Sequence, residues 1–219
     1  MPLLNAPAVR SVVIAGAGGF ALEMFDYLLS ERDGPEVLGF IDDRPEALPP
    51  PGTGRPHLGR IDAYRPAADQ GVVVAIGSPQ GRSNVLNTLW QLGAVTPAYV
   101  HPLALVSPAA RLGRGTIVCP YAIVNRNASV GDGVLVNVHC CVGHGAAAGD
   151  FSVLSPYADL NGDSAIGAGC FLGTRATLFP RVTIGRECVV DSHTAVRASA
   201  EDRQIISSRG PYTVNPRRT

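Results

Sequence analysis

Few side chains in this sequence of 219 residues combine useful chemistry with an expected outward position, and His144 is the first of them. An imidazole gains and loses a proton near neutral pH, so a solvent-facing histidine can act as a general base. Cys141, three residues earlier, is a second candidate because a thiolate can act as a nucleophile. All 18 basic residues are arginines, which excludes every mechanism that needs a lysine amine, such as a Schiff base.

The overall composition limits the classes of partner. The 18 basic residues are balanced by 18 acidic ones, so no net field attracts nucleic acid or an anionic membrane. Only 16% of the residues are charged, against about 25% in an average soluble domain, which favours an oligomer. The apolar stretch from Val12 to Leu22 is too short to cross a bilayer. We therefore expect a cytoplasmic protein without a nucleic-acid or membrane partner and, from the cysteine spacing, with reduced thiols.

A six-residue repeat in the second half determines which candidates face outward. From Val106 to Val196 every sixth residue is aliphatic, and a small residue follows four positions after each. This period, held without an insertion, is typical of a parallel β-solenoid in which three hexads form one coil of 18 residues. Its sixteen hexads predict a little over five coils, with both columns pointing inward. His144 is then the third residue of its hexad and faces solvent, whereas three cysteines fill the small inward column as compact hydrophobes: Cys140, Cys170 and Cys188.

The first hundred residues show a different pattern, in which apolar runs alternate with helical segments. This order predicts a small Rossmann-like parallel sheet. A glycine-rich turn that opens a helix can hold a pyrophosphate on its backbone amides, although such a turn alone is also compatible with tight packing and no ligand. The expected elements are strands at Val12–Ala15, Val37–Ile41 and Val72–Ile76, helices at Phe20–Ser30 and near Ser83–Leu92, the turn Gly16–Gly19 and a loop at Pro45–Pro56.

Both halves together resemble the hexapeptide-repeat sugar acyltransferases, the family of sialic acid O-acetyltransferases and of N-acetyltransferases acting on UDP- or GDP-linked 4-amino sugars. The resemblance implies an α/β Rossmann-like domain over residues 1–99 and an all-β left-handed parallel β-helix over residues 100–219. It also implies a homotrimer, a nucleotide sugar held by the N-terminal domain, and acetyl-CoA as co-substrate in the groove between neighbouring solenoids. The markers are Gly16-Ala17-Gly18-Gly19, Gly39-Phe40-Ile41-Asp42-Asp43, Ala75-Ile76-Gly77, Val100-His101-Pro102 and the segment Asn137–Phe151.

The same resemblance implies roles for single residues. His144 matches the family's catalytic histidine, which takes a proton from a sugar amine or hydroxyl as that group attacks the thioester. Asn137, seven residues before His144, is implied as a second catalytic residue. No metal is implied. The implied cofactor contacts are Gly162, Thr174 and Ser192, and the implied nucleotide-sugar contacts are Gly18, Gly19, Phe20, Asp42, Asp43, Gly77 and Ser78.

The sequence departs from the family pattern at three places. Gly145 stands where the family has an acid that orients the histidine. One coil of 18 residues further lies Asp163, which should stack about 4.8 Å away, and we hypothesise that it supplies the missing carboxylate. Phe20 replaces a histidine, and the family's C-terminal Gly-x-Pro-Ala is reduced to Gly210-Pro211-Tyr212.

Two other functions compete with the acyltransferase. The loss of the acid at Gly145 is also compatible with a nucleotide-sugar-binding trimer of weakened catalysis. His139 and His144 have a spacing that occurs among the zinc ligands of γ-type carbonic anhydrases, which share the β-helix. A third zinc-binding histidine should lie two coils before His139, where the chain has Leu103. Nucleophilic catalysis by Cys141 is disfavoured, because the resemblance implies direct transfer of the acyl group to the sugar, without an acyl-enzyme.

Overall fold

The computed structural model describes residues 3–4, 8–31, 34–44 and 52–208. The start of the predicted proline-rich loop and the C-terminal Gly210-Pro211-Tyr212 lie outside these residues. Within the described chain, neither helix has the length and apolarity that a bilayer crossing requires.

The N-terminal part contains the predicted parallel sheet. Its central strand is flanked on either side by one strand, in the order β3-β2-β4. Two helices follow the first and third of these strands in sequence, and a two-residue strand at the start of the chain pairs antiparallel with β5. The elements are β1 (Leu3–Leu4), β2 (Ser11–Ala15), α1 (Gly19–Leu29), β3 (Glu36–Ile41), β4 (Gln70–Val74), α2 (Pro79–Gln91) and β5 (Ala98–Val100).

Helix α2 begins four residues before the predicted start at Ser83. The Oγ of Ser78 accepts a hydrogen bond from the N–H of Gly81 at 3.3 Å, and Pro79 occupies the first helical turn. A serine cap followed by proline is a favourable helix start because it satisfies one end amide and removes another. The prediction of the helix start was wrong because it followed only the apolar spacing.

The second part is a prism of three parallel sheets, which confirms the predicted β-helix. Each of the sixteen expected hexads contributes one two-residue strand, and β5 and β22 extend the solenoid to about six coils. Face 1 contains β5 with β8 (Ile117–Val118), β11 (Leu135–Val136), β14 (Val153–Leu154), β17 (Phe171–Leu172), β20 (Val189–Val190) and β22 (Ile205–Ile206). Face 2 contains β6 (Leu105–Val106), β9 (Ile123–Val124), β12 (Cys141–Val142), β15 (Asp159–Leu160), β18 (Thr177–Leu178) and β21 (Ala195–Val196). Face 3 contains β7 (Arg111–Leu112), β10 (Ser129–Val130), β13 (Ala147–Ala148), β16 (Ala165–Ile166) and β19 (Thr183–Ile184).

The interior of the prism is formed by the two predicted columns. The aliphatic and small residues of successive coils make one continuous buried cluster. The thiols of Cys140, Cys170 and Cys188 point into it, and each Sγ lies 3.1 Å from a backbone carbonyl oxygen of a later turn. These cysteines therefore act as packing residues and weak donors.

Turns between the faces form three corners, which we name by the faces that they join. From Gly115 to His193, every sixth residue has a positive φ of 56–70°. Corner 1–2 contains Asn137 and His139, corner 2–3 contains His144 and Asp163, and corner 3–1 contains Gly133. Each corner thus repeats its backbone once per coil, and residues 18 apart stack directly.

The N-terminal part covers face 1. Residues of α1, including Met24 and Phe25, form one buried cluster with Ile117, Leu135 and Val153 of this face. The Tyr99 hydroxyl also donates to Glu31 at the end of α1, at 2.8 Å. This apolar contact of the N-terminal part is with face 1 and not with face 2 or face 3.

We predict that the native protein exposes at most one reactive thiol. Cys119, Cys140, Cys170 and Cys188 are 0–1% exposed, and burial raises the pKa of Cys140 to about 12 and that of Cys170 to about 11. Because the thiolate is the reactive form, these groups should resist aromatic disulfide reagents at neutral pH. Titration should detect no thiol other than Cys141 in the folded protein and all five cysteines in denaturant. Rapid reaction of two or more native thiols would contradict the inward column.

Candidate active site

A cavity of about 470 Å³ lies beside the carboxyl ends of β2, β3 and β4. Six of the seven residues predicted to contact a nucleotide sugar line it, whereas Ser78 is the cap of α2. Of the six other lining residues, Ala17, Ala75 and Ile76 stand within the marker segments, whereas Arg44, Ile61 and Val85 belong to no motif and were missed. The lining consists of Ala17, Gly18, Gly19, Phe20, Asp42, Asp43, Arg44, Ile61, Ala75, Ile76, Gly77 and Val85.

At the three glycines that line the cavity, the backbone conformation and the surrounding atoms would also allow a larger residue. A Cβ added at Gly18, Gly19 or Gly77 would meet no atom within 4 Å, and none of the three has a positive φ. Gly16 is different, since its φ is +114° and a Cβ would lie 2.9 Å from the carbonyl oxygen of Ala75. Gly16 thus serves the fold, whereas the three lining glycines keep the cavity open.

The turn between β2 and α1 presents backbone amides to the cavity. Helix α1 begins after Gly18, which provides no side-chain cap, and its first turn contains no acidic residue. A helix start of this kind carries partial positive charge and can bind an anionic group.

Asp42 fixes this turn. Its Oδ2 accepts hydrogen bonds from the Ala17 N–H at 2.9 Å and from Nη2 of Arg44 at 2.8 Å, and its Oδ1 accepts two more from Arg44. Burial alone would raise the pKa of Asp42, but the hydrogen bonds from Arg44 and Ala17 outweigh it and hold the pKa below its usual range. The Asp42 side chain is 8% exposed and that of Asp43 is 46% exposed, although the Asp43 Oδ1 also accepts the Ile61 N–H at 2.9 Å. Asp43 is therefore the more accessible carboxylate of the two.

His144 lies exposed on corner 2–3, with its ring over the next coil. A Cβ on Gly162 would come within 2.5 Å of the imidazole Cε1 and 2.6 Å of Nε2, so only glycine leaves room for this ring position. His144 and Gly162, which are 18 residues apart, therefore stack on adjacent coils, as a coil of 18 residues predicts.

Asp163 lies beside this ring and points the opposite way along the solenoid. Its Oδ1 occupies the place that a Cβ on Gly145 would take. The imidazole extends over one glycine and the carboxylate over the other, so the two side chains pass each other between adjacent coils. Among the hydrogen bonds of the described residues, none joins the carboxylate to the ring. The only bond between these residues runs from the Asp163 N–H to the His144 carbonyl oxygen, at 2.9 Å.

The other predicted catalytic and cofactor residues lie on a different corner. Asn137, Thr174 and Ser192 belong to corner 1–2, where the Asn137 Oδ1 accepts the Val138 N–H at 2.7 Å. Within one chain, therefore, the structure does not bring them to His144 and Gly162.

His139 also lies on corner 1–2, within a column of stacked side chains. Its ring is 5.0 Å from that of Tyr121 and 4.6 Å from that of Tyr157, with interplanar angles of 11° and 5°. The Arg175 guanidinium continues the column 4.5 Å from the Tyr157 ring. In the part of the chain that the structure describes, no group of three histidine, cysteine or acidic residues is arranged to hold a metal ion.

Cys141 faces outward from face 2 but is half-buried. Burial raises the pKa of its thiol, and the charge of Asp159 on the next coil raises it further. The thiol is therefore kept protonated at neutral pH, which makes it a poor nucleophile.

Comparison with known proteins agrees with both halves of the architecture. Residues 11–89 match the family described as the PglD N-terminal domain. No curated protein sequence matches the chain.

Several solved structures share the complete fold. PerB from Caulobacter crescentus, in complex with CoA and GDP-perosamine, is 30% identical, with 88% of this chain and 91% of that chain covered and a TM-score of 0.78. The acetyltransferase domain of PglB from Neisseria gonorrhoeae FA1090 is 27% identical, with 87% and 93% covered and a TM-score of 0.80. WeeI from Acinetobacter baumannii AYE, at 22% identity, has a TM-score of 0.79, with 90% and 96% covered, and supports the fold.

The match to PerB covers 88% of this chain and 91% of a protein that was solved with CoA and GDP-perosamine. The chain belongs to the hexapeptide-repeat family of sugar acetyltransferases.

Proposed function

We propose that this protein transfers an acetyl group from acetyl-CoA to the amino group of a nucleotide-linked 4-amino sugar, or to a sugar hydroxyl, with His144 as general base. The observation that carries the proposal is the pairing of an open glycine-lined cavity with an exposed imidazole that Gly162 makes room for. Support comes from PerB, which is 30% identical and holds CoA and GDP-perosamine.

The reaction needs no covalent enzyme intermediate. The sugar nitrogen or oxygen attacks the thioester carbonyl, the new C–N or C–O bond forms and the C–S bond breaks. His144 accepts the proton that the nucleophile loses and returns it to the departing CoA thiolate. Cys141 takes no acyl group in this scheme, because burial keeps its thiol protonated.

The nucleotide sugar would occupy the N-terminal cavity. The amides at the start of α1, near Gly18, Gly19 and Phe20, suit its diphosphate. Asp43, after β3, and Gly77, after β4, also line the cavity, where Asp43 would accept hydrogen bonds from the nucleoside. Asp42 would act mainly by holding the glycine turn in place.

The active form would be a homotrimer, as the family resemblance implies. Asn137, Thr174 and Ser192 lie on corner 1–2, whereas His144 and Gly162 lie on corner 2–3. If corner 1–2 of one copy meets corner 2–3 of the next, the two sets line a single groove that can hold acetyl-CoA. A cytoplasmic location remains a prediction.

We propose further that Asp163 is a positioning residue for His144. Its carboxylate takes the space next to the imidazole that the missing side chain at Gly145 leaves empty. A hydrogen bond from a ring nitrogen to this carboxylate would orient the ring and stabilise its protonated form.

Replacing His144 with alanine should lower kcat by a factor of about 10² to 10⁴, the usual contribution of a general base, with little change in KM. The assay follows thiol release from acetyl-CoA with a panel of UDP- and GDP-linked 4-amino sugars. The matched control is His139→Asn, since asparagine tolerates the positive φ of 58° at that position and His139 has no proposed role.

Activity lost in both histidine variants, together with bound zinc in the wild type, would favour the carbonic-anhydrase-like alternative. Wild-type protein that binds nucleotide sugars but turns none of them over would favour the binding trimer.

Asp163→Asn should lower kcat/KM by about tenfold, equivalent to about 1.4 kcal/mol of transition-state stabilisation. The double variant with Gly145→Asp and Asp163→Gly should recover most of this loss, because both positions have a φ that aspartate tolerates, +67° and +58°. Glu187→Gln is the control, since Glu187 is a carboxylate at the equivalent turn position of corner 3–1. Full activity in Asp163→Asn would refute the positioning role.

Gly77→Leu should weaken binding of GDP or UDP by at least tenfold without destabilising the protein. The side chain would enter the cavity, while the backbone at Gly77 has neither a positive φ nor a close neighbour to oppose it. Calorimetric titration and thermal unfolding measure the two effects, and Gly77→Ala should give a smaller loss of affinity. Unchanged nucleotide affinity in Gly77→Leu would place the nucleotide elsewhere.

A further inference from the structure

Helix α2 lies between the cavity and the solenoid, and Arg82 in this helix is bonded to both. Its side chain is 0% exposed. The guanidinium donates to the carbonyl oxygens of Val74 at 2.7 Å and Ile76 at 3.0 Å, at the end of β4. It also donates to the carbonyl oxygens of Gly133 at 2.7 Å and Gly115 at 3.1 Å, on corner 3–1 of the first two coils.

The two sets of carbonyl groups belong to functionally different regions. Ile76 lines the cavity, and Ala75 and Gly77 beside it do so too. Gly133 lies in the turn that leads into the coil of His144, eleven residues before it. Arg82 is thus a single rigid link between the wall of the proposed nucleotide-sugar site and the coil that carries the proposed base.

Two further residues of α2 continue this link along one side of the helix. Leu86, four residues after Arg82, fits against both turns, since a Cβ on Gly115 would come within 2.8 Å of its Cδ2. Four residues further, Trp90 donates from Nε1 to Thr96 at 2.7 Å, and the Arg114 guanidinium lies 3.7 Å from its ring. Residues spaced by four share one helix face, so this stripe docks α2 on corner 3–1.

Stability alone does not account for arginine at this place. All four of its acceptors are uncharged carbonyl groups, and burial lowers the pKa of Arg82 to about 10. A buried charge is costly, and apolar residues of similar volume often stabilise a core as well or better. What arginine adds is a planar fork of five donors that holds several acceptors in one geometry.

We propose that Arg82 is a positioning residue for the acyl transfer, which sets the height and orientation of the nucleotide-sugar cavity relative to His144. The inference rests on the proposed function and adds a residue that touches neither substrate. Displacement of a reactant by about 1 Å can reduce a rate about 10²-fold, so a shift of the whole cavity should affect chemistry more than binding.

The test compares Arg82→Lys and Arg82→Met with the wild type at a temperature where near-ultraviolet circular dichroism shows all of them folded. We expect kcat to fall by about 10²-fold, with the KM for acetyl-CoA and the Kd for GDP and UDP within about twofold of wild type. Lysine should not rescue kcat, because one ammonium group cannot serve four carbonyl groups. Ile184→Ala, a buried cavity variant on face 3, controls for loss of stability.

An Arg82 variant that is folded and retains wild-type kcat would overturn the inference. So would an equal loss of kcat in Ile184→Ala at matched residual stability, because Arg82 would then be only a structural residue.

A second measurement does not depend on turnover. GDP or UDP binding should slow amide hydrogen exchange in the turns around Gly115 and Gly133 in the wild type but not in Arg82→Met. Slowed exchange in a protein that acetylates no sugar would refute the proposed function and support the link. Binding without slowed exchange in an active wild type would refute the link alone, and absence of nucleotide binding would refute both.

Discussion

Stacking of 18-residue coils is the constraint on which the functional geometry depends. Each strand pairs with the strands one coil before and after it, as Cys141 does with Ile123 and Asp159. Because the register never shifts between Leu105 and Val196, an outward side chain always lies over the residue 18 positions away. The imidazole of His144 therefore needs glycine at 162, and the carboxylate of Asp163 needs glycine at 145. A single inserted residue would separate all of these pairs.

The N-terminal part uses the solenoid as a rigid base. Its helix α1 buries an apolar side on face 1, while α2 is docked on corner 3–1 through hydrogen bonds to backbone carbonyl groups. The contact of α1 buries apolar surface and therefore contributes stability. The hydrogen bonds of α2 fix the orientation of the N-terminal part on the solenoid. With these two contacts, the cavity has little freedom to rotate relative to the solenoid. This suits a reaction in which one substrate is held by the N-terminal part and the other by the solenoid.

Much of this arrangement follows from local pattern. The repeat predicts sixteen strands, the inward cysteines and the outward position of His144, because each depends only on position within a hexad. Coil arithmetic likewise places Gly162 above His144 and Asp163 near Gly145. The residues predicted to contact a nucleotide sugar also make up half of the cavity lining, six of twelve residues.

The residues that sequence reasoning missed act through the backbone or through distant contacts. Arg82 binds four carbonyl groups, and a carbonyl group is present at every position, so its partners leave no sequence signature. Its one signal is its place four residues before Leu86 and seven before Leu89, on the buried side of α2. Ser78 is predicted to contact the nucleotide sugar, and in the structure its hydroxyl caps α2, a role that favours the same residue type. The position of Asn137 on a different corner from His144 could be predicted from the repeat. The two residues are seven positions apart, and one face of the prism lies between them.

Such a regular prism also limits how proteins of this architecture can change in length. Each coil contacts only its two neighbours, so stability accumulates coil by coil. Removal or duplication of material within the solenoid preserves the inward columns only in multiples of six residues, and it preserves which face each strand occupies only in multiples of 18. The last coil is an exception to the 18-residue period, because Ile184 pairs with Ala200, only 16 residues later. Few coils follow this point, so the shorter step disturbs little of the register. Length variation that leaves the distance between the cavity and His144 unchanged should therefore occur in whole coils after His144 or at this end of the prism.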